Sequence, residues 1–171
     1  MICELNRVGW ALLTVEGVAA KAGAGKASVY RRWPTKPALV TAALRHTAPG
    51  RVNCPDLGSL RDELVLLAGE LEARVDSPHG RALRTALENC RGDHTQAFMD
   101  LFAEQMSQSA KNCAQDLVRR DTGRHRTGLT TDGDVVDMVM DTLLATLMYP
   151  LPRPDLAELV DRVVLPALYV C

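Results

Sequence analysis

The chain has 171 residues, 47 % of them apolar and 24 % charged, with a formal net charge of −1. That composition supports a packed core and excludes a disordered or collagen-like chain. The uncharged stretch Thr142 to Pro152 falls far short of the roughly 20 apolar residues that cross a bilayer. Glu4 precedes any basic residue, the wrong polarity for a secretory leader. Five scattered cysteines, none in a CxxC pair, point away from a disulfide framework or a zinc module and towards a reducing cytoplasm.

Charge is unevenly placed. Residues 1–46 hold seven Lys or Arg against two Glu, a net +5, whereas 47–171 hold 13 basic and 19 acidic residues, a net −6. Opposite-sign halves suggest that one end meets a polyanion; chance segregation is the alternative.

In chain order the pattern is helical throughout, with apolar positions three and four apart and no sustained period-two alternation. Thr14 can cap a short helix over about 15–22, and Gly23 lets the chain leave it sharply. A second short helix, about 26–33, stops at Pro34. Thr35 caps a third, with Pro37 in its first turn, where no donor is needed. His46 to Gly58, rich in Pro and Gly, reads as a linker or loose connection. Ser59 with Asp62 starts a helix to about Val75, with Leu60, Leu64, Leu67 and Leu71 on one face. Ser77-Pro78 opens another, ending at Gly92, and Asp93 can cap a long helix to about Arg120. Asp121 to Gly133 reads as a polar loop.

The last two helices, about 134–148 and 155–169, flank a proline-rich turn. The first is apolar around most of its circumference, as a helix buried on both sides must be. A two-fold dimer through both helices accounts for this, as does a tightly packed monomer core.

Two short helices joined by a Gly-containing turn in a basic segment are the elements of a helix-turn-helix, whose second helix lies in the DNA major groove. Ala19, Ala20 and Ala22 keep the first helix thin, and Val18 and Val29 can fill the space between the two. The run TVEGVAAKAGAGKASVYRRWPTKPALV (14–40) resembles the TetR family of transcriptional regulators. A looser resemblance over 56–168 is to the ligand-binding and dimerisation domain of that family. It implies an all-α fold: a three-helix DNA-binding domain over 1–46 and an antiparallel helical domain over 47–171. The first helix of the family is represented here only by Met1 to about Val8.

The resemblance implies that Lys26, Ala27, Ser28 and Arg31 face base edges, while Tyr30, Lys36 and the helix start at Thr14–Val15 hold phosphates. Arg31 is the side chain suited to a bidentate contact with guanine; core packing is the alternative for Tyr30, whose phosphate role the resemblance favours, and Trp33 reads as core. The implied function is a homodimeric regulator, most often a repressor, released from a near-palindromic double-stranded operator by a small effector. Phe98, Phe102 and Met106 lie on the helix that lines the pocket in the family and imply a mainly apolar effector; their spacing also suits plain core. The alternative is a ligand-binding dimer whose DNA reader is compromised by the short first helix.

An enzyme finds little support. Gly25-Lys26 sits in a poor phosphate-loop pattern, with Ala20 and Ala27 where Gly and Ser/Thr are needed and a helix before it instead of a strand. Glu88, Cys90 and His94 are separated by the helix-breaking Gly92-Asp93. No cofactor or metal is expected.

Overall fold

The computed structural model describes residues 1–125, 128–130, 132–149 and 152–169, and the elements are helical. They are α1 (Ile2–Leu12), α2 (Val15–Lys21), α3 (Lys26–Arg32), α4 (Lys36–His46), α5 (Leu60–Asp76), α6 (Pro78–Asn89), α7 (Thr95–Phe102), α8 (Gln108–His125), α9 (Gly133–Met148), α10 (Leu156–Leu159) and α11 (Leu165–Leu168). Among the described residues the sole β pairing is an isolated bridge between Leu129 and Tyr169. No helix among them is long and apolar enough to cross a membrane.

Local signals set the helix starts. The hydroxyls of Thr14, Thr35 and Ser77 accept from the amides of Gly17, Ala38 and Gly80 at 3.0, 3.2 and 3.0 Å, each satisfying a donor the first turn leaves free. Gly23 has φ 63°, the left-handed geometry that ends α2. Gly9 does the same inside α1: at φ 77° it breaks the helix after Val8, and one further turn follows.

The chain forms two compact units, neither contiguous in sequence. One comprises Met1–Pro49 with Asp76–Ala103, the other Gly50–Val75 with Glu104–Cys171. Packing thus groups α6 and α7 with the segment 1–46, a different division from the functional boundary expected at 46/47.

In the first unit, α1 packs on α6 and α4, and α4 also meets α7. Leu5, Leu44, Leu83, Phe98 and Leu101 are fully buried there, and the Trp10 and Phe98 rings meet edge to face at 6.0 Å. Asn6 Nδ2 donates to the Pro78 carbonyl at 2.7 Å. A smaller core of Val15, Ala19, Val29 and Leu39, flanked by Met1, Val18, Tyr30 and Trp33, joins α2 to α3. The short first helix is therefore fastened, with its apolar face on α6.

In the second unit, α5 buries Leu60, Leu64, Leu67 and Leu71, the predicted face, and α9 buries Val136, Val139, Met140, Leu143, Leu144 and Leu147. α8 packs on α9, and α11 on α9.

Four expectations are corrected here. The long helix from Asp93 to Arg120 is not uniform: a 3₁₀ turn at Gly92–His94 precedes α7, and a wide π turn at Ala103–Ser107 separates α7 from α8. The π turn buries the three consecutive residues Gln105, Met106 and Ser107, which a regular step of 3.6 residues per turn does not do. Ser107 Oγ is held by Asp141 at 2.7 Å.

The stretch 50–58 is not a loose connection. The Val52 amide donates to Ser109 Oγ at 2.8 Å and the Leu57 amide to Glu63 Oε1 at 2.9 Å. Arg120 donates to the carbonyls of Cys54 and Pro55 at 3.1 and 3.2 Å. Cys54 and Cys113 are joined as a disulfide, their Cα atoms 5.9 Å apart, where the cysteine spacing had argued against a bridge. The pair is 59 residues apart in sequence, so only the fold brings it together. The expected loop 121–133 is in part continued α8, and its residues 126, 127 and 131 lie outside the described set.

Candidate nucleic-acid interface

The helix-turn-helix is built from the inside outward. Val15 and Ala19 of α2 and Val29 of α3 turn inward, and the Ala24 amide closes the turn on the Ala19 carbonyl at 2.9 Å. Gly17 leaves room for the cap: a Cβ there would lie 3.0 Å from Thr14 Oγ1.

With Val29 anchored, Lys26, Ala27, Ser28 and Arg31 all fall on the exposed side of α3. Arg31 makes no hydrogen bond or ion pair with the described residues, so its planar fork is available for a base edge. Arg32 instead stacks on Trp33, 5.1 Å from the ring centre, and Trp33 packs against the small core.

The remaining predicted contacts are already engaged. Tyr30 is half-buried, and its hydroxyl donates to Glu16 Oε1 at 2.6 Å. Lys26 Nζ lies 3.0 Å from the same oxygen and 5.8 Å from the Tyr30 ring centre. The Tyr30 hydroxyl, the backbone and the Lys26 ammonium together lower the Glu16 carboxyl from 4.5 to about 2. The same bond to Glu16 raises the Tyr30 phenol and the Lys26 ammonium above their ordinary values. Lys36 Nζ donates to the Trp10 carbonyl at 2.8 Å and sits 5.2 Å from the indole centre. Thr14 spends its hydroxyl on the cap, and Val15 is buried, so the helix start presents mainly backbone.

Sequence reasoning missed this clamp. Glu16 carried weight only as one of two acids in a basic segment, and its partners lie across the turn. It also missed Glu4, which holds both Arg7 and Lys21 at 2.5 Å and is lowered to about 2, first by Arg7 and then by Lys21. Pairing at Glu4 and Glu16 thus offsets part of the positive charge of 1–46 and leaves Arg31, on the exposed side of α3, without an ion-pair partner among the described residues.

The three residues expected to line an apolar pocket differ in burial and in the unit that holds them. Phe98 is in the first unit's core against Trp10, Met106 is fully buried in the π turn of the second, and Phe102 is half-buried. None lines the polar cleft of about 530 Å³ beside α8 or the apolar groove of about 160 Å³ on α9. The described residues bring together no group of three metal-ligating side chains, Glu88, Cys90 and His94 included.

Comparison with known proteins follows the same geometry. Residues 4–43, which run from within α1 to within α4, match the family model for bacterial regulatory proteins of the tetR family. An uncharacterized HTH-type transcriptional regulator of Mycobacterium tuberculosis is 33 % identical over 171 residues, covering 96 % of this chain and 82 % of that protein. The DNA-binding transcriptional repressor TetR of Mycobacteroides abscessus is 27 % identical over 165 residues, covering 94 % and 86 %. A crystal structure of a TetR transcriptional regulator from Agrobacterium tumefaciens shares the fold, with a TM-score of 0.61 at 20 % identity over 98 % of this chain and 88 % of that one. On this likeness the chain belongs to the tetR family of bacterial regulatory proteins, which are DNA-binding transcriptional regulators and not enzymes.

Proposed function

We propose that the chain is a homodimeric, effector-responsive repressor that acts in the cytoplasm on a near-palindromic operator, with residues 1–46 reading DNA and 47–171 supplying the dimer contact and the effector site. The observation that carries this reading is the outward face of α3, where Lys26, Ala27, Ser28 and Arg31 stand exposed. Arg31 supplies base discrimination, Ala27 an apolar contact such as a thymine methyl, and Lys26 and Tyr30 move from Glu16 to phosphate on docking. Lys36 and the Thr14–Val15 helix start complete the backbone contacts.

A dimer is supported by the apolar surface on α9 and the C-terminal helical segment. Met138 and Val163 are 63 % and 47 % exposed, and they share a groove with Thr142, Thr146 and Ala167. Two readers on a two-fold axis then meet successive major grooves about 34–36 Å apart or a multiple of it. The repressor role follows the named activity of the Mycobacteroides relative. An effector that favours a spacing unsuited to the operator releases DNA, and by linkage operator DNA weakens the effector by the same factor.

The test is fluorescence anisotropy of the purified chain on its own upstream intergenic DNA and on a scrambled duplex, at two salt concentrations. Preferential binding that weakens with salt, at two chains per site, is expected because phosphate contacts release counterions. Equal, weak binding to both duplexes would favour a ligand-binding dimer without a working reader.

A further inference from the structure

We propose that Cys54 and Cys113 form a reversible thiol–disulfide site, oxidised by a peroxide, whose state sets the affinity for DNA. The coupling to DNA rests on the regulator reading above; the thiol chemistry does not.

Placement carries the argument. Cys54 lies in the segment 50–58, which by sequence connects the end of α4, and so the reader, to α5. Cys113 lies on α8. Both line a cleft of about 530 Å³ that opens to solvent and, Val52 apart, is otherwise polar, with Gln108, Asn112, Arg51 and Arg120 together with Glu104 and Asp116 in its walls. A small hydrophilic oxidant or thiol therefore has a route to the sulfurs.

Ser109, Arg120 and Glu63 bind the backbone of residues 52, 54, 55 and 57 through hydrogen bonds, and the disulfide is the covalent tie between this segment and α8, so opening it frees the segment that follows the reader without removing those other anchors. A regulator of transcription works where thiols are kept reduced, and there a disulfide is characteristically a redox-sensing or catalytic one. The other described cysteines differ. Cys90 is buried, and desolvation raises its thiol above the ordinary value, which suppresses the reactive thiolate. Cys3 is exposed and free.

The step balances with the oxidant named. Cys54 is half-buried and Cys113 nearly covered, so the Cys54 thiolate attacks a peroxide oxygen, the O–O bond breaks, and Cys54 sulfenic acid and one water result from hydrogen peroxide. The Cys113 sulfur then attacks the Cys54 sulfur and expels hydroxide, which leaves as a second water. Two thiols have lost two electrons and two protons, and the peroxide has gained them. Excess reduced glutathione reverses the change by thiol–disulfide exchange.

The experiment uses the full chain with Cys3→Ser and Cys171→Ser to prevent links between molecules. Reduced protein is treated with stoichiometric hydrogen peroxide, then with glutathione. Peptide mass mapping follows the Cys54–Cys113 link, and anisotropy follows DNA at each stage. The expected result is a link that forms with peroxide and reopens with glutathione, with affinity differing at least about fivefold between the states, the lower range of allosteric coupling. Cys54→Ser and, separately, Cys113→Ala should abolish the response, and Cys90→Ser should keep it. A link that fails to form or that glutathione does not reopen overturns the site. Equal DNA affinity in both states, or a response that survives Cys54→Ser, overturns the switch alone. DNA binding in neither state overturns the regulator reading with it.

Discussion

Truncating Phe98 to alanine separates a core role from a pocket role. The side chain is fully buried and stands edge-on to Trp10 at 6.0 Å, in a unit where Leu5, Leu83 and Leu101 are also fully buried. Removing a ring from such a site loses its transfer free energy and leaves a cavity that neighbours fill only in part, at a cost of about 3–5 kcal/mol. Part of that cost is the aromatic pair, worth about 0.5–1.5 kcal/mol. Against a total stability of about 5–15 kcal/mol the loss is large. For a chain of this size each kcal/mol moves Tm by roughly 2–4 °C, so Tm should fall by about 6–20 °C. Phe98→Leu keeps most of the volume and should cost only about 1–2 kcal/mol. Thermal melts followed by circular dichroism, with urea melts to check that the m value is unchanged, measure both. A Phe98→Ala variant whose Tm lies within about 2 °C of the parent refutes the reasoning, because it would mean the ring lines a space that is already open.

Glu16→Gln removes the negative charge that pairs with Lys26 and leaves only a neutral amide oxygen for it and for the Tyr30 hydroxyl. Binding to both matched and scrambled DNA should tighten, because Lys26 and Tyr30 no longer leave a charged partner on docking, while the slope of log K against log salt stays close to the parent's, as measured by anisotropy. Glu16 itself titrates from 4.5 down to about 2 on folding. Its pairing therefore contributes fully above the unfolded value and is lost progressively as pH falls from 4.5 to about 2; a carboxyl carbon NMR titration should show Glu16 still ionised at pH 4. Met138→Glu places a charge on the exposed apolar part of α9. Sedimentation equilibrium should then give a monomer with unchanged helical content, while a dimer of parental affinity would move the interface elsewhere.

What could be read beforehand was local. The caps at Thr14, Thr35 and Ser77 and the left-handed Gly23 depend on residues within a few positions, and the structure places them as expected. The α3 face followed from one buried position, Val29, and the helical repeat. Features that depend on distant segments were not legible. Cys54 meets Cys113 only after α5 and α8 have packed; the π turn at 103–107 answers to Asp141 from another helix; and α1 finds its cover on α6, more than 70 residues away, as the bond from Asn6 to Pro78 shows. Phe98 shows the converse difficulty. Apolar spacing on a helix is the same for a core and for a pocket, and only burial against Trp10 distinguishes them.

The most direct test of the central claim is a parallel titration of the parent chain and Arg31→Ala on the upstream duplex and a scrambled one. Arg31 is exposed on α3 with no hydrogen bond or ion pair to the described residues, and on the proposed reading role the variant should lose about 1–3 kcal/mol on the matched duplex and far less on the scrambled one. Its salt slope should stay close to the parent's. An equal loss on both duplexes would make Arg31 a backbone contact, and no loss on either would contradict the assignment of α3 as the reading helix.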